Sequence, residues 1–301
     1  MIDSASDTAP LADAHALEQD ILALADAGDA LDRSRARAAV AALLRLLETG
    51  AVRSARPTTD GWEAVAWVKR GILLAFKVGE TRAFEPWVPG ANPAFAGSGF
   101  DFADRDTLPL RPTSGGDDGV RIVPGGSSVR AGVFMGEGVV VMPPAYINVG
   151  AYVGAGSMVD SHALVGSCAQ VGERVHLSAG AQLGGVLEPI GLRPVVIEDE
   201  VMVGANCGVF EGTLVRRRAV LAAGVQLTGS TMVVDLVHER TFRGSPGSPL
   251  TIPEGAVVVP GSRPAGGSFA AERGIHLHTP VIVKYRDSRT DAATALEDAL
   301  R

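Results

Sequence analysis

Hydrophobic positions recur every six residues through most of the second half of this chain. From Val123 it reads VPGGSS, VRAGVF, MGEGVV, VMPPAY, INVGAY, VGAGSM, VDSHAL, VGSCAQ, VGERVH, LSAGAQ, LGGVLE, and all eleven hexads open on Val, Met, Ile or Leu. An eight-residue break, Pro189 to Val196, interrupts the beat, which resumes at Ile197 with IEDEVM, VGANCG, VFEGTL, VRRRAV, LAAGVQ and LTGSTM. A second interruption ends at Ile252, with Val258 six residues on. Aliphatics at a strict period of six, separated by small and turn residues, predict a parallel β-helix of hexapeptide repeats.

Strand side chains alternate between faces, so the residue two before each aliphatic should also point inward. That slot holds only small or apolar residues, from Ser127 and Val133 to Ala181 and Leu187. The slot after the aliphatic faces outward and is often Gly, as at Gly136, Gly154, Gly166, Gly172, Gly184 and Gly204, which suits close approach of another backbone. With three hexads to a triangular coil, about six coils fit, each burying its core only against its neighbours.

Outside the beat, residues 11–26 and 29–49 carry Ala and Leu at helical spacing, with Asp32 a suitable N-cap and Gly50 a stop. Gly61 to Val78, GWEAVAWVKRGILLAFKV, is apolar enough for either helix or strand. Residues 79–119 are rich in Gly, Pro and Asp and read as a linker or ordered loop. After Gly266 and Gly267, HTPVIVKYR predicts a strand and DAATALEDALR a short terminal helix. The expected units are an N-terminal helical domain with linker (1–118), a β-helix catalytic domain (119–264) and a C-terminal cover (265–301), because solenoid ends need caps.

Composition narrows the function classes. Aromatics make up 5% of the 301 residues, natural for a narrow coil filled by Val, Leu and Ala. The net charge of −7 leaves no basic footprint for nucleic acid, and the one basic run, Arg216 to Arg218, reads as a solvated edge. No apolar run is long enough for a bilayer, and no basic-then-apolar leader opens the chain, so a cytoplasmic location is expected. Two cysteines point to a reducing compartment. Cys207 takes an inward slot as core filler; Cys168 lies off those slots, where exposure is open to it, though no activating base is in view.

Chemistry should show where the repeat is violated. Asp160 fills the outward slot that holds Gly154, Gly166 and Gly172 in neighbouring hexads, and Glu188 ends LGGVLE just before the first break. Each alone could be a solvated surface acid. Counting hexads puts the two on different walls of the prism, where they do not converge within one chain. In a threefold assembly of parallel prisms they meet across an interface, which predicts a homotrimer with shared sites. His176 is outward by phase and eligible as a general base, and His162 lies two residues from Asp160. His276 and His278 share one side of a strand, but two ligands without a third make no metal site, and none is expected.

The stretch MVDSHALVGSCAQVGERVHLSAGAQLGGVLEP, Met158 to Pro189, resembles the tetrahydrodipicolinate N-succinyltransferases of bacterial lysine and diaminopimelate synthesis, with MVD, VGSCAQ, VHLS and GGVLEP in order. The likeness extends to RIVPGGSSVR, MPPAYINVGAYV and GWEAVAWVKRGILLAFKV upstream, and to VFEG, IPEGAVVVPG and PVIVK downstream. It implies a left-handed coil, a trimer, and succinyl transfer from succinyl-CoA to the amino group of ring-opened tetrahydrodipicolinate. It also implies Arg121 as the substrate-binding cation, Asp160 as a substrate-contacting and catalytic carboxylate, and Glu188 as the catalytic base. A guanidinium suits a dicarboxylate because it grips one carboxylate with two parallel hydrogen bonds. Coenzyme A is expected in the groove between prisms, its pantetheine along outward backbone at Gly185 and Ala223 and its phosphates near Lys284.

The chain departs from the family pattern at His162, where many members have Trp, and at Asn206-Cys207, where they have Arg-Ser. QLTGSTMVVDLVHERTFRGSPGSPL around the second break is distinct as well. Loss of an arginine near the site leaves acetyl-CoA as the alternative donor. Two rivals come from other classes. A metal enzyme on the same solenoid needs three clustered histidines, and a non-catalytic scaffold would leave Asp160 and Glu188 as plain surface acids.

Overall fold

The computed structural model describes residues 9–59, 61–84, 102–113 and 118–287; the expected terminal helix DAATALEDALR lies outside them. The chain opens with α1 (Ala9–Asp26) and α2 (Arg33–Glu48). Asp32 caps α2 by accepting a hydrogen bond from the Arg35 backbone N–H at 3.0 Å, and Gly50 leaves the helix at φ 75°. The ambiguous segment from Gly61 is both structures in turn, a strand at Gly61–Ala64 and then α3 (Ala66–Val78). Ile21, Leu43 and Ile72 are fully buried where these helices meet. Within the stretch expected to be irregular, Thr81–Phe84 pairs antiparallel with Phe102–Arg105. The alternation that marks a strand is too short there to stand out among Gly and Pro.

The six-residue beat becomes a three-walled prism of two-residue parallel strands. The first wall runs from Arg121–Ile122 to Val220–Leu221, the second from Ser128–Val129 to Gln226–Leu227, and the third from Phe134–Met135 to Thr251–Ile252. Six coils result, and a seventh pass begins with Ala256–Pro264. Every beat aliphatic from Val129 to Val258 is buried, as are the inward slots from Val133 to Ala181. Burial of each Val or Leu contributes about 1.5–3 kcal/mol, so a narrow column of aliphatics suffices without aromatic bulk.

Two positions depart from the expected phase. The first coil starts one residue early: Ile122, not Val123, pairs with Val141 and faces the core. Leu187 is not in the coil core, because the chain leaves the prism at the first break and turns Leu187 onto the helical layer.

Most corners turn through a residue with positive φ, the third after the aliphatic, the corner at Pro144 being an exception. After the first wall these include His162 at 61°, Gly180 at 71° and Asn206 at 56°; after the second, Gly150 at 75° and Cys168 at 66°; after the third, Arg174 at 53°, Glu200 at 60° and Arg218 at 60°. This column decides what each corner does. The corner after the second wall docks the helical layer, with Ala131, Val149 and Cys168 in that layer's core. Cys168, expected to have exposure open to it, is therefore fully buried. The corner after the third wall carries an ion-pair ladder, Arg174 and Arg217 both on Glu200 at 3.3 and 2.8 Å. Arg216 to Arg218 belong to that ladder and to its surroundings, with Arg216 4.0 Å from Glu198.

The third wall lies under the N-terminal layer. Phe134 and Tyr152 stack at 4.4 Å, and the Arg53 guanidinium sits 3.6 Å above the Tyr152 ring while its Nε donates to Gln170. Burial pushes the Arg53 pKa down. The first wall is extended by a hairpin of Ala256–Pro264 with His276–Tyr285, the second being the strand expected at HTPVIVKYR. A five-residue helix, α4 (Ser268–Glu272), lies between them. The second insertion forms a small hairpin, Val233–Asp235 with Arg240–Phe242, added to the same sheet.

Candidate active site

Asp160 follows the third strand of the first wall, at the edge where the chain turns into the second wall. Its backbone N–H bonds Leu177 at 2.9 Å, and its Oδ1 accepts from the Ser161 N–H at 2.7 Å. The carboxylate is half-buried, with one oxygen already used by its own turn. Arg121 is exposed at the start of the same wall, two coils below.

Glu188 lies at the other edge of the second wall, in the loop after Gln182–Leu183, and its side chain is exposed. The loop is anchored on both sides. Leu187 packs into the helical layer, Lys69 of α3 donates to the Leu192 carbonyl, and Arg193 Nη2 donates to the Gly212 carbonyl at 2.8 Å. Lys69 is fully buried, and burial pulls its pKa down. The first break is thus a braced loop that carries Glu188, and Lys69 holds it from the helical side. Sequence reasoning missed Lys69 because a single lysine inside an apolar helix carries no repeat-breaking signal.

Gly185 shares the Glu188 edge, and its backbone N–H lies so close to Gly166 that any side chain on Gly166 would collide with it. Ala223 occupies the Asp160 edge three coils higher, over Gly204 in the same way. Both are exposed. Lys284 stands on the C-terminal strand opposite Val257, beyond the last coil of the first wall. The structure therefore brings Arg121, Asp160, Ala223 and Lys284 to the first wall and its outer edge. It separates Gly185 and Glu188 from them by the width of the second wall.

The histidines fall into distinct settings. His176 is exposed on the outer face of the first wall, and His162 is exposed on the turn after Asp160. His276 lies 3.2 Å from Ser262 Oγ, and among the described residues no three His, Cys, Asp or Glu side chains gather as a metal site. Cys168 and Cys207 are buried, and burial pushes both thiols up to about 11, which removes them as nucleophiles.

A polar cluster in the second insertion was not legible. Asp235, fully buried, accepts from Tyr285 at 2.8 Å and Arg240 at 3.1 Å, and its Oδ2 lies 2.9 Å from His238 Nδ1. Burial alone would raise its pKa. The hydrogen bonds from His238, Tyr285 and Arg240 outweigh that and hold it at about 2. It occupies an inward position beside Val233, so the cluster closes the open end of the coil.

A parallel hexapeptide prism is a scaffold that several classes of protein share, and the relatives of this chain are hexapeptide-repeat acyltransferases. A family model described as hexapeptide repeat of succinyl-transferase matches residues 194–229, and one described as tetrahydrodipicolinate N-succinyltransferase N-terminal matches residues 16–78. The 2,3,4,5-tetrahydropyridine-2,6-dicarboxylate N-succinyltransferase of Rhodopseudomonas palustris (strain BisA53) is 40% identical over 95% of this chain and 98% of its own length. The enzyme of that name from Aromatoleum aromaticum is 42% identical over 88% of this chain and 89% of its own. A Campylobacter jejuni crystal structure, provisionally assigned as a 2,3,4,5-tetrahydropyridine-2-carboxylate N-succinyltransferase, overlays on 88% of this chain and 64% of its own with a TM-score of 0.45 at 16% identity. The chain belongs to the tetrahydrodipicolinate N-succinyltransferase family, and its coil is the left-handed parallel β-helix of hexapeptide-repeat acyltransferases.

Proposed function

We propose that this protein transfers the succinyl group of succinyl-CoA to the amino group of ring-opened tetrahydrodipicolinate, in lysine and diaminopimelate synthesis, as a cytoplasmic homotrimer. The observation that carries this reading is identity of 40% with a named N-succinyltransferase across 95% of the chain. The placement of Asp160 and Glu188, the two acids that break the repeat, is in keeping with it.

In this reading Arg121 grips one carboxylate of the acceptor, and Asp160 orients it. Glu188 of a neighbouring copy takes the proton that the amine loses as its nitrogen attacks the thioester carbon. The new C–N bond forms, the C–S bond breaks, and coenzyme A leaves as the thiol after taking up a proton. The coenzyme runs along the glycine-edged corners past Gly185 and Ala223, with its phosphates toward Lys284. No step calls for a metal.

The test is direct. The protein is incubated with tetrahydrodipicolinate and equal succinyl- and acetyl-CoA, and the product is identified by mass. A succinylated product is expected. An acetylated one overturns the donor assignment, and no acylation overturns the reading.

A further inference from the structure

The buried residues of α3 are Val68, Gly71, Ile72, Leu74, Ala75 and Val78, all apolar or glycine, and one charged exception, Lys69. The Lys69 side chain is fully buried, and its Nζ donates to the Leu192 carbonyl. An ammonium carries three N–H donors. Among the described residues Lys69 has that one acceptor and no carboxylate at ion-pairing distance. Cys168, the ionisable group whose charge would act on it, is a thiol pushed up to about 11 by burial and is neutral at pH 7.

A buried cation without a counter-charge opposes folding, and an apolar side chain of similar volume in its place is often neutral or stabilising. The contact between α3 and the prism does not need the lysine, because Ile72 already shares an apolar cluster with Val149 and Cys168. What Lys69 adds is one directed bond to one loop.

That loop carries Glu188. On the near side of Glu188, Leu187 packs into the helical layer. On the far side, the Leu192 N–H donates to the Pro189 carbonyl at 3.0 Å. The carbonyl that Lys69 holds therefore belongs to a turn that closes on the residue after Glu188. Arg193 fixes the exit of the loop, its Nε and Nη2 donating to the Gly212 carbonyl at 3.0 and 2.8 Å. We propose that Lys69 is a positioning residue for the acyl transfer, holding the Glu188 loop through the Leu192 carbonyl so that the carboxylate meets an acceptor amine bound on the neighbouring copy. The inference rests on the reading of Glu188 as the base. It gives the N-terminal layer a task in the reaction, since α3 supplies the donor.

The experiment is a double-mutant cycle on the full chain, Lys69→Met against Glu188→Gln. Its readouts are kcat for succinyl transfer to tetrahydrodipicolinate, KM for succinyl-CoA, and thermal melting. Lys69→Met keeps the length and packing of the side chain and removes the donor. It should melt at the wild-type temperature or higher and leave KM for succinyl-CoA unchanged. Its kcat should fall about 10- to 100-fold, the scale of a reacting group displaced by about 1 Å. In the Glu188→Gln background the same substitution should lower kcat no further, because no base is left to position. Lys69→Gln, neutral but with an amide donor, should lose less than Lys69→Met.

A wild-type kcat in Lys69→Met overturns the proposal, and so does a loss that multiplies with that of Glu188→Gln. Failure of both Lys69 variants to fold overturns it too, since the lysine would then serve the fold itself. Wild-type turnover in Glu188→Gln overturns a different statement, the reading of Glu188 as the base.

Discussion

Asp160 and Glu188 sit one coil apart in height at opposite edges of the second wall, Asp160 where the chain enters it and Glu188 where the chain leaves it. Neither can reach across the wall, whose outward row includes Tyr146, Leu164 and Gln182. Two copies placed edge to edge around a threefold axis bring the Asp160 of one toward the Glu188 of the next. Light scattering of the purified protein should therefore give about three times the 31.0 kDa chain mass. A stable, fully active monomer would refute the shared site.

Replacing Glu188 by Gln keeps the size and the exposed setting but removes the ability to accept a proton. The side chain stands on a loop braced by Lys69, Arg193 and Leu187, none of which hydrogen-bonds its carboxylate. Folding and coenzyme affinity should persist while kcat falls about 10²–10⁴-fold. Wild-type turnover in Glu188→Gln would reduce Glu188 to a surface acid.

The two cysteines should be silent in the native protein. Cys168 lies between the prism and the helical layer, Cys207 in the coil core with its Sγ 3.0 Å from the Ala222 carbonyl. Burial pushes both thiols up to about 11, so about one in a thousand is thiolate at pH 8. A disulfide reagent at that pH should label neither until denaturant is added. Rapid labelling of one thiol per native chain would contradict the docking of the helical layer.

The parts of this molecule that repeat were readable, and the parts that join repeats were not. A period of six places Val159, Leu177 and Val203 in the core because every coil meets the same environment. It says nothing about which corner another layer covers, so Cys168 and Leu187 were misplaced by phase alone. The start at Ile122 instead of Val123 was hidden because both residues are aliphatic. Asp160 and Glu188 stood out as violations of the repeat. Asp235 could not, since the donors that make it tolerable lie three, five and fifty residues away and meet it only once the C-terminal strand has folded back.

That buried carboxylate yields a prediction about acid stability. Asp235 is held at about 2 against an ordinary value of 3.8: burial opposes the charge, but His238, Tyr285, the His238 backbone N–H and Arg240 together overcompensate. A folded pKa below the unfolded one means that the charged form stabilises the fold above about pH 4 and that this contribution disappears as pH falls through about 2. The shift corresponds to about 2 kcal/mol. Asp106, held at about 2 by its hydrogen bond from Arg37, titrates in the same window, so the wild type alone cannot isolate Asp235. The comparison with Asp235→Asn does. At pH 7 the variant should be less stable by about 1–3 kcal/mol, because Arg240, Tyr285 and His238 lose a charged acceptor at the end of the coil. Between pH 4 and pH 2 the difference between the two proteins in urea melts should shrink toward zero. A gap that stays constant across that window would show that the carboxylate charge at the end of the coil contributes nothing to the fold.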